Sequence, residues 1–159
     1  MNQEITMRIL ITNQSMYRMG GTETYVYTLT KELVNRGHEV EIWTKEPGLV
    51  SNLITKEFGC VVNFVKKEYD LILINHNFMA KRVIELGIKG TKIQTCHGIF
   101  VDEEQPYPGL DAYVSISQEV HDNLKHKGFD STIIYNGVDC NKFTPSNGDE
   151  TTVYSLSQN

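Results

Sequence analysis

The sequence predicts an α/β protein built on a mainly parallel sheet with helices on both faces. Short apolar runs recur along the 159 residues, amphipathic stretches at helical spacing separate them, and glycines close most of those stretches. Strand, helix and strand repeated in this way give parallel pairs joined by crossover helices. No internal repeat or low-complexity tract interrupts the alternation.

The elements follow in order. "MRILIT" (7–12) is continuously apolar, as a strand covered on both faces must be. Residues 22–36 carry Val26, Leu29, Leu33 and Val34 at helical spacing. Thr22 is expected to cap that helix, Arg36 to favour its C-terminal dipole, and Gly37 to take the left-handed stop. "HEVEIWT" (38–44) alternates as a second strand, and a helix over 49–58 leads through Gly59 to "CVVNFV". "YDLILIN" (69–75) is the next strand, "FMAKRVIELG" a helix closed by Gly87, and "TKIQTCH" (91–97) a further strand. A polar loop with Pro106 and Pro108 precedes the strand "DAYVSIS" (111–117). "QEVHDNLKHKG" is a helix ending at Gly128, and "STIIYNG" (131–137) is the last strand.

Composition narrows the function classes. Hydrophobic content of 40% with 22% charged residues fits a globular domain long enough to bury a core. A net charge of −5 argues against nucleic-acid binding, which needs clustered cations. The pairs Lys66-Lys67, Lys81-Arg82 and Lys125 with Lys127 read as solvated faces, with a weak membrane-surface contact as the second reading. Cys60, Cys96 and Cys140 are scattered and odd in number, which suggests reduced thiols rather than a disulfide framework or a zinc site. His121 and His126 stand five apart, on different helix faces, so no metal centre is expected. The chain has no long apolar segment and a polar start, "MNQEIT"; the expectation is a cytoplasmic protein, or one peripheral at the inner membrane surface.

In parallel sheets ligands bind outside the carboxyl ends of the strands. The residues to examine are therefore the Gly20-Gly21 loop, His76, His97-Gly98, Ser115 with Ser117, and Asn136-Gly137. Adjacent glycines in "MGGTETY" serve either a tight turn or a loop whose backbone N–H groups meet a phosphate at a helix N-terminus. The pattern is not GxGxxG, and "EIWTK" ends without the acid that holds a dinucleotide ribose, so a nucleotide-dependent oxidoreductase is set aside. His97 ends a strand and should project into the crevice; a structural and a ligand-contacting role both remain open. Ser117 reads first as a helix N-cap, and Asn136-Gly137 as a connector rather than a hairpin turn. Cys96 and His97 are strand neighbours pointing to opposite faces, which excludes a thiol nucleophile.

Taken together, the strand ends are more specific than any one alone. "MGGTETYVYTLTKELVNRGHEVEIWT", "TCHGIF", "VSISQEVHDNL" and "IIYNGVDCNKFTP" occur in that order, and they resemble the N-terminal half of the GT4-type glycosyltransferases of the GT-B fold. The resemblance implies a Rossmann-like doubly wound domain over 1–145. It further implies that 146–159 link to a C-terminal donor-binding domain, which holds the family's Glu-x7-Glu motif and is missing here. It implies a retaining sugar transfer from a nucleotide-sugar donor to a glycan, lipid or small-molecule acceptor, with no cofactor and no essential metal. Gly20, Gly21, Asn136 and Gly137 would bind the donor phosphates and sugar, His97 would be catalytic through a hydrogen bond to the transferred sugar, and Asn136 to Asp139 would line the cleft. Thr22, His76, Gly98 and Ser117 would contact the acceptor or line the cleft, with the proline loop 102–109 as a mobile acceptor-specificity element. Glu23 would order the first helical turn rather than act as a base. The alternative from another class is a stand-alone nucleotide- or glycan-binding module without catalysis.

Overall fold

The computed structural model describes residues 5–137. Its elements are β1 (Arg8–Ser15), α1 (Gly21–Asn35), β2 (Glu39–Glu46), α2 (Leu49–Phe58), β3 (Val61–Val62) and β4 (Glu68–Asn75). There follow α3 (Asn77–Glu85), β5 (Lys89–Cys96), a 3-10 turn (Asp102–Glu104), β6 (Ala112–Ser115), α4 (Gln118–His126) and β7 (Thr132–Ile133). The seven strands form one sheet in the order β3-β2-β1-β4-β5-β6-β7. Every pairing in it is parallel. This is the doubly wound, Rossmann-like fold that the alternation predicts.

Side-chain alternation along β1 divides the core in two. Ile9 and Ile11 point to one face, where Val26 of α1 and Val50 and Ile54 of α2 cover them. Leu10 points to the other, where it meets Met79, Ala80 and Val83 of α3 together with Ile72 and Ile74 of β4. Cys96 extends that second face under Val120 and Leu124 of α4. Gly37, Gly59, Gly87 and Gly128 all adopt positive φ, as helix stops do.

Several boundaries differ from the expectation. β1 runs three residues past Thr12, because Asn13 and Ser15 keep their pairing with Thr44 and Glu46 of β2. Thr12 and Asn13 are both buried, so polar composition there conceals a strand. "CVVNFV" contributes only Val61–Val62, and "STIIYNG" only Thr132–Ile133. Thr22 is not the cap of α1. Gly20 is, in an extended conformation with no side-chain cap, and Thr22 lies one residue inside the helix.

The proline loop is hydrogen-bonded to the sheet. The buried Gln94 of β5 grips it twice: its Nε2 donates to the carbonyl of Gln105 at 3.0 Å, and its Oε1 accepts from the N–H of Tyr107 at 2.8 Å. Gln105 in turn donates to the carbonyls of Ile99 and Val101. No helix among the described residues is long and apolar enough to cross a membrane. Asp139, Cys140, the Phe143-x-Pro145 segment and the linker 146–159 lie outside the described residues.

Candidate functional site

Strand order reverses at β1, whose neighbours β2 and β4 are followed by helices on opposite faces of the sheet. Such a switch point opens a crevice at the carboxyl ends of the strands. The ends of β1, β4 and β5 bring the Gly20 loop, His76 and His97 to it.

Gly20 and Gly21 both have ordinary φ values, so neither is needed for a left-handed turn. A Cβ on Gly21 would meet nothing within 4 Å, and one on Gly20 would meet only the tip of Glu23, at 2.5 Å. Neither chain reversal nor packing therefore explains the pair. What the glycines leave is open space in front of a helix N-terminus. The first N–H groups of α1 lack partners within the helix, no side chain caps them, and they carry the positive end of the helix dipole. Thr24 closes the turn from inside, donating through its hydroxyl to the Gly20 carbonyl at 2.6 Å. Glu23, in the first turn, accepts from the Thr22 hydroxyl at 3.3 Å, in line with an ordering role.

His97 is fixed by Asn75, a residue that strand periodicity alone does not single out. Asn75 is buried and donates through Nδ2 to the Thr12 carbonyl at 2.9 Å, which leaves its Oδ1 to accept. That oxygen lies 2.8 Å from His97 Nε2, so Nε2 carries the proton and Nδ1 is the remaining acceptor. The ring packs edge-on against Tyr25 of α1 at 4.8 Å, and the Tyr25 hydroxyl lies 3.3 Å from Thr95 Oγ1. Burial, and then the nearby His76, push the imidazole down to about 4. His97 is accordingly neutral at pH 7.

His76 is placed by the end of β4 at φ 67 and ψ 138, a conformation that costs a residue with a Cβ of order 1–3 kcal/mol. Its Nδ1 accepts from the N–H of Gln14 at 3.3 Å, tying the end of β1 to the start of α3. Burial lowers its pKa, with Glu23 and Glu103 acting in the opposite direction. Next to His97, a Cβ on Gly98 would collide with a Glu104 carboxylate oxygen. Glu104 is itself held above its usual range by burial and by Glu103. Cys96 is fully buried and its thiol is pushed up to about 12, chiefly by burial, so it is no nucleophile.

The remaining sequence-predicted residues follow β6 and β7, the strands beyond β5. Ser117 caps α4, accepting from the N–H of Val120 at 3.2 Å. Asn136 and Gly137 are exposed at the end of the described residues, beyond the edge strand β7. Residues missed by sequence reasoning are Asn75, Tyr25 and Glu104. The signal for Asn75 was its place as the polar terminus of an apolar run directly before His76.

The fold is that of a Rossmann-like α/β domain with an all-parallel seven-stranded sheet. No family model matches the sequence, and no curated protein is similar to it. Among solved structures, the crystal structure of Anabaena Alr3699/HepE in complex with UDP and glucose is similar with a TM-score of 0.68 and 18% sequence identity. The match covers 89% of this chain and 47% of that one, so the chain spans about half the length of this neighbour. The likeness is one of fold.

Proposed function

We propose that this chain is the acceptor-side domain of a retaining glycosyltransferase that uses a nucleotide-sugar donor. The observation that carries the reading is the pairing of an uncapped α1 N-terminus, opened by two glycines, with a neutral His97 oriented by Asn75. The N-terminus suits a departing diphosphate, since preorganised backbone donors stabilise developing negative charge. A neutral imidazole beside the sugar suits the opposite charge, because it offers a lone pair where an imidazolium would repel the electron-poor anomeric carbon. His76 and Gly98 form the acceptor wall of the crevice. Ser117 acts as a helix cap, and Asn136 and Gly137 belong to the passage toward a second domain that supplies the donor's main contacts. The similarity in fold to a protein solved with UDP and glucose supports this reading.

Amide NMR on this chain tests the binding half of the proposal. Titration with UDP-, ADP- and GDP-sugars should move the resonances of Gly20 to Glu23 and of His97 and Gly98 saturably with one of them. Weak affinity, near a millimolar Kd (~−4 kcal/mol), is expected of a half-site. Shifts confined to other surfaces with every nucleotide sugar would exclude the crevice as the binding site.

A further inference from the structure

We infer that a second site, beside the histidine crevice, binds a small anionic amphiphile. Its ring or chain would lie against Trp43, Phe78 and Met79, and its acid group would be answered by Lys45 and Arg82. Its role as the sugar acceptor, or part of it, rests on the acceptor-side reading above; the binding itself does not.

The site exists because of a short connection. Only residues 63–67 join β3 to β4, and a crossover helix needs a dozen or so. The α3-side face of β2 is therefore left without a helix of its own. Part of it is closed by polar chemistry. Glu41 is buried there, accepting from the Tyr69 hydroxyl at 2.6 Å and from the Lys66 ammonium. Two and four residues further along the same face stand Trp43 and Lys45. With Phe78, Met79 and Arg82 of α3 they line an open groove of about 400 Å³.

Its chemistry is mixed in a particular way. Met79 is buried while Phe78 is 38% exposed, so the apolar wall reaches solvent. The rim is positive although the whole chain carries −5. Lys45 stands 5.4 Å from the centre of the Phe78 ring. Arg82 lies 3.2 Å from Glu85, which is also 3.8 Å from Lys81, so two cations of α3 share one carboxylate. Glu46, next to Lys45, falls on the opposite side of the strand, and Glu41 is already engaged. An apolar group bearing an anion satisfies both halves of this surface.

The groove adjoins the crevice. Lys45 lies opposite Gln14, between the pairs Asn13–Thr44 and Ser15–Glu46. Gln14 is hydrogen-bonded to His76, and Phe78 follows His76 by two residues. An occupant of the groove therefore presents its other end near the two histidines.

Trp43 is the single tryptophan of the chain, so its emission and its indole N–H resonance report this site alone. The intact chain should be titrated with phenyl phosphate and octyl phosphate, using phenol, octanol and inorganic phosphate as controls. At least one amphiphilic phosphate should shift both signals saturably. The controls should bind at least about tenfold more weakly, the scale of a charge-assisted contact. Preference for phenyl or octyl phosphate tells whether a ring or a chain fills the groove. Lys45→Gln combined with Arg82→Gln should lower the affinity about tenfold and leave the circular dichroism unchanged. No saturable response to either phosphate, equal binding of phenol or octanol, or an unaltered affinity in the double variant would each overturn the site. None of these readouts involves transfer. A groove that binds in a protein that transfers no sugar refutes the transferase reading alone, and the reverse result refutes the groove alone.

Discussion

At the scale of single residues, the chain of hydrogen bonds from the Thr12 carbonyl through Asn75 to His97 fixes both the position and the tautomer of the imidazole. Asn75→Ala removes a buried partner on two sides and should cost about 1–3 kcal/mol of stability, read as a lower denaturation midpoint. An unchanged midpoint would show that the chain of bonds does not form. The lowered pKa makes a second prediction. In the unfolded chain His97 takes up a proton near 6.5, whereas in the fold it does so only at about 4. Between those values the unfolded state binds more protons, so stability is lost as pH falls from about 6.5 toward 4. His76 is displaced in the same direction and adds to the loss. His97→Gln should flatten the dependence of the urea midpoint on pH in that window, and an equally steep profile in the variant would assign the slope elsewhere.

At the scale of elements, the start of α1 differs from its sequence reading, and the loop after β5 gains a hold that the sequence does not show. The family resemblance implied a mobile specificity element at 102–109; Gln94, buried inside a strand, makes two hydrogen bonds to it. Gln94→Leu leaves the Gln105 carbonyl and the Tyr107 N–H without their partner. It should cost about 1–3 kcal/mol and open residues 102–109 to protease, whereas wild-type resistance would show that the clamp is dispensable. For α1, Thr22 was the expected cap from its residue type, yet the cap is Gly20, two residues earlier, and the helix begins at Gly21. Gly21→Ala meets no neighbour and restricts the unfolded chain, so it should leave stability unchanged or raise it by about 0.4–1 kcal/mol. If the space in front of α1 receives a ligand, the same substitution should weaken nucleotide-sugar binding. A variant that is more stable and binds equally well would return the glycine pair to a structural role.

At the scale of the whole molecule, strand identity and the parallel order were legible because each buried strand carries a continuous apolar run and each helix an amphipathic face. Helix stops were legible as well, since Gly37, Gly59, Gly87 and Gly128 occupy a backbone region that most residues avoid. The extension of β1 through Asn13 and Ser15 was not, because the backbone there is held by pairing with β2 that no local pattern encodes. The site was legible in part for the same reason. A strand end announces that His76 and His97 face the crevice, but their mutual placement depends on Asn75 and Gln14, which belong to different strands. Tyr25 reached the site only through packing of α1 across β5, a long-range contact.

The most direct test is sugar transfer by the complete gene product, comparing wild type with His97→Ala against the nucleotide sugar that moves the crevice resonances. Retention of the anomeric configuration should be scored in the product. Wild type should transfer the sugar with retention, and His97→Ala should fold normally while turning over about 100-fold more slowly or worse, the scale of losing one preorganised contact at the reacting centre. Transfer at an undiminished rate by a folded His97→Ala protein would contradict the account.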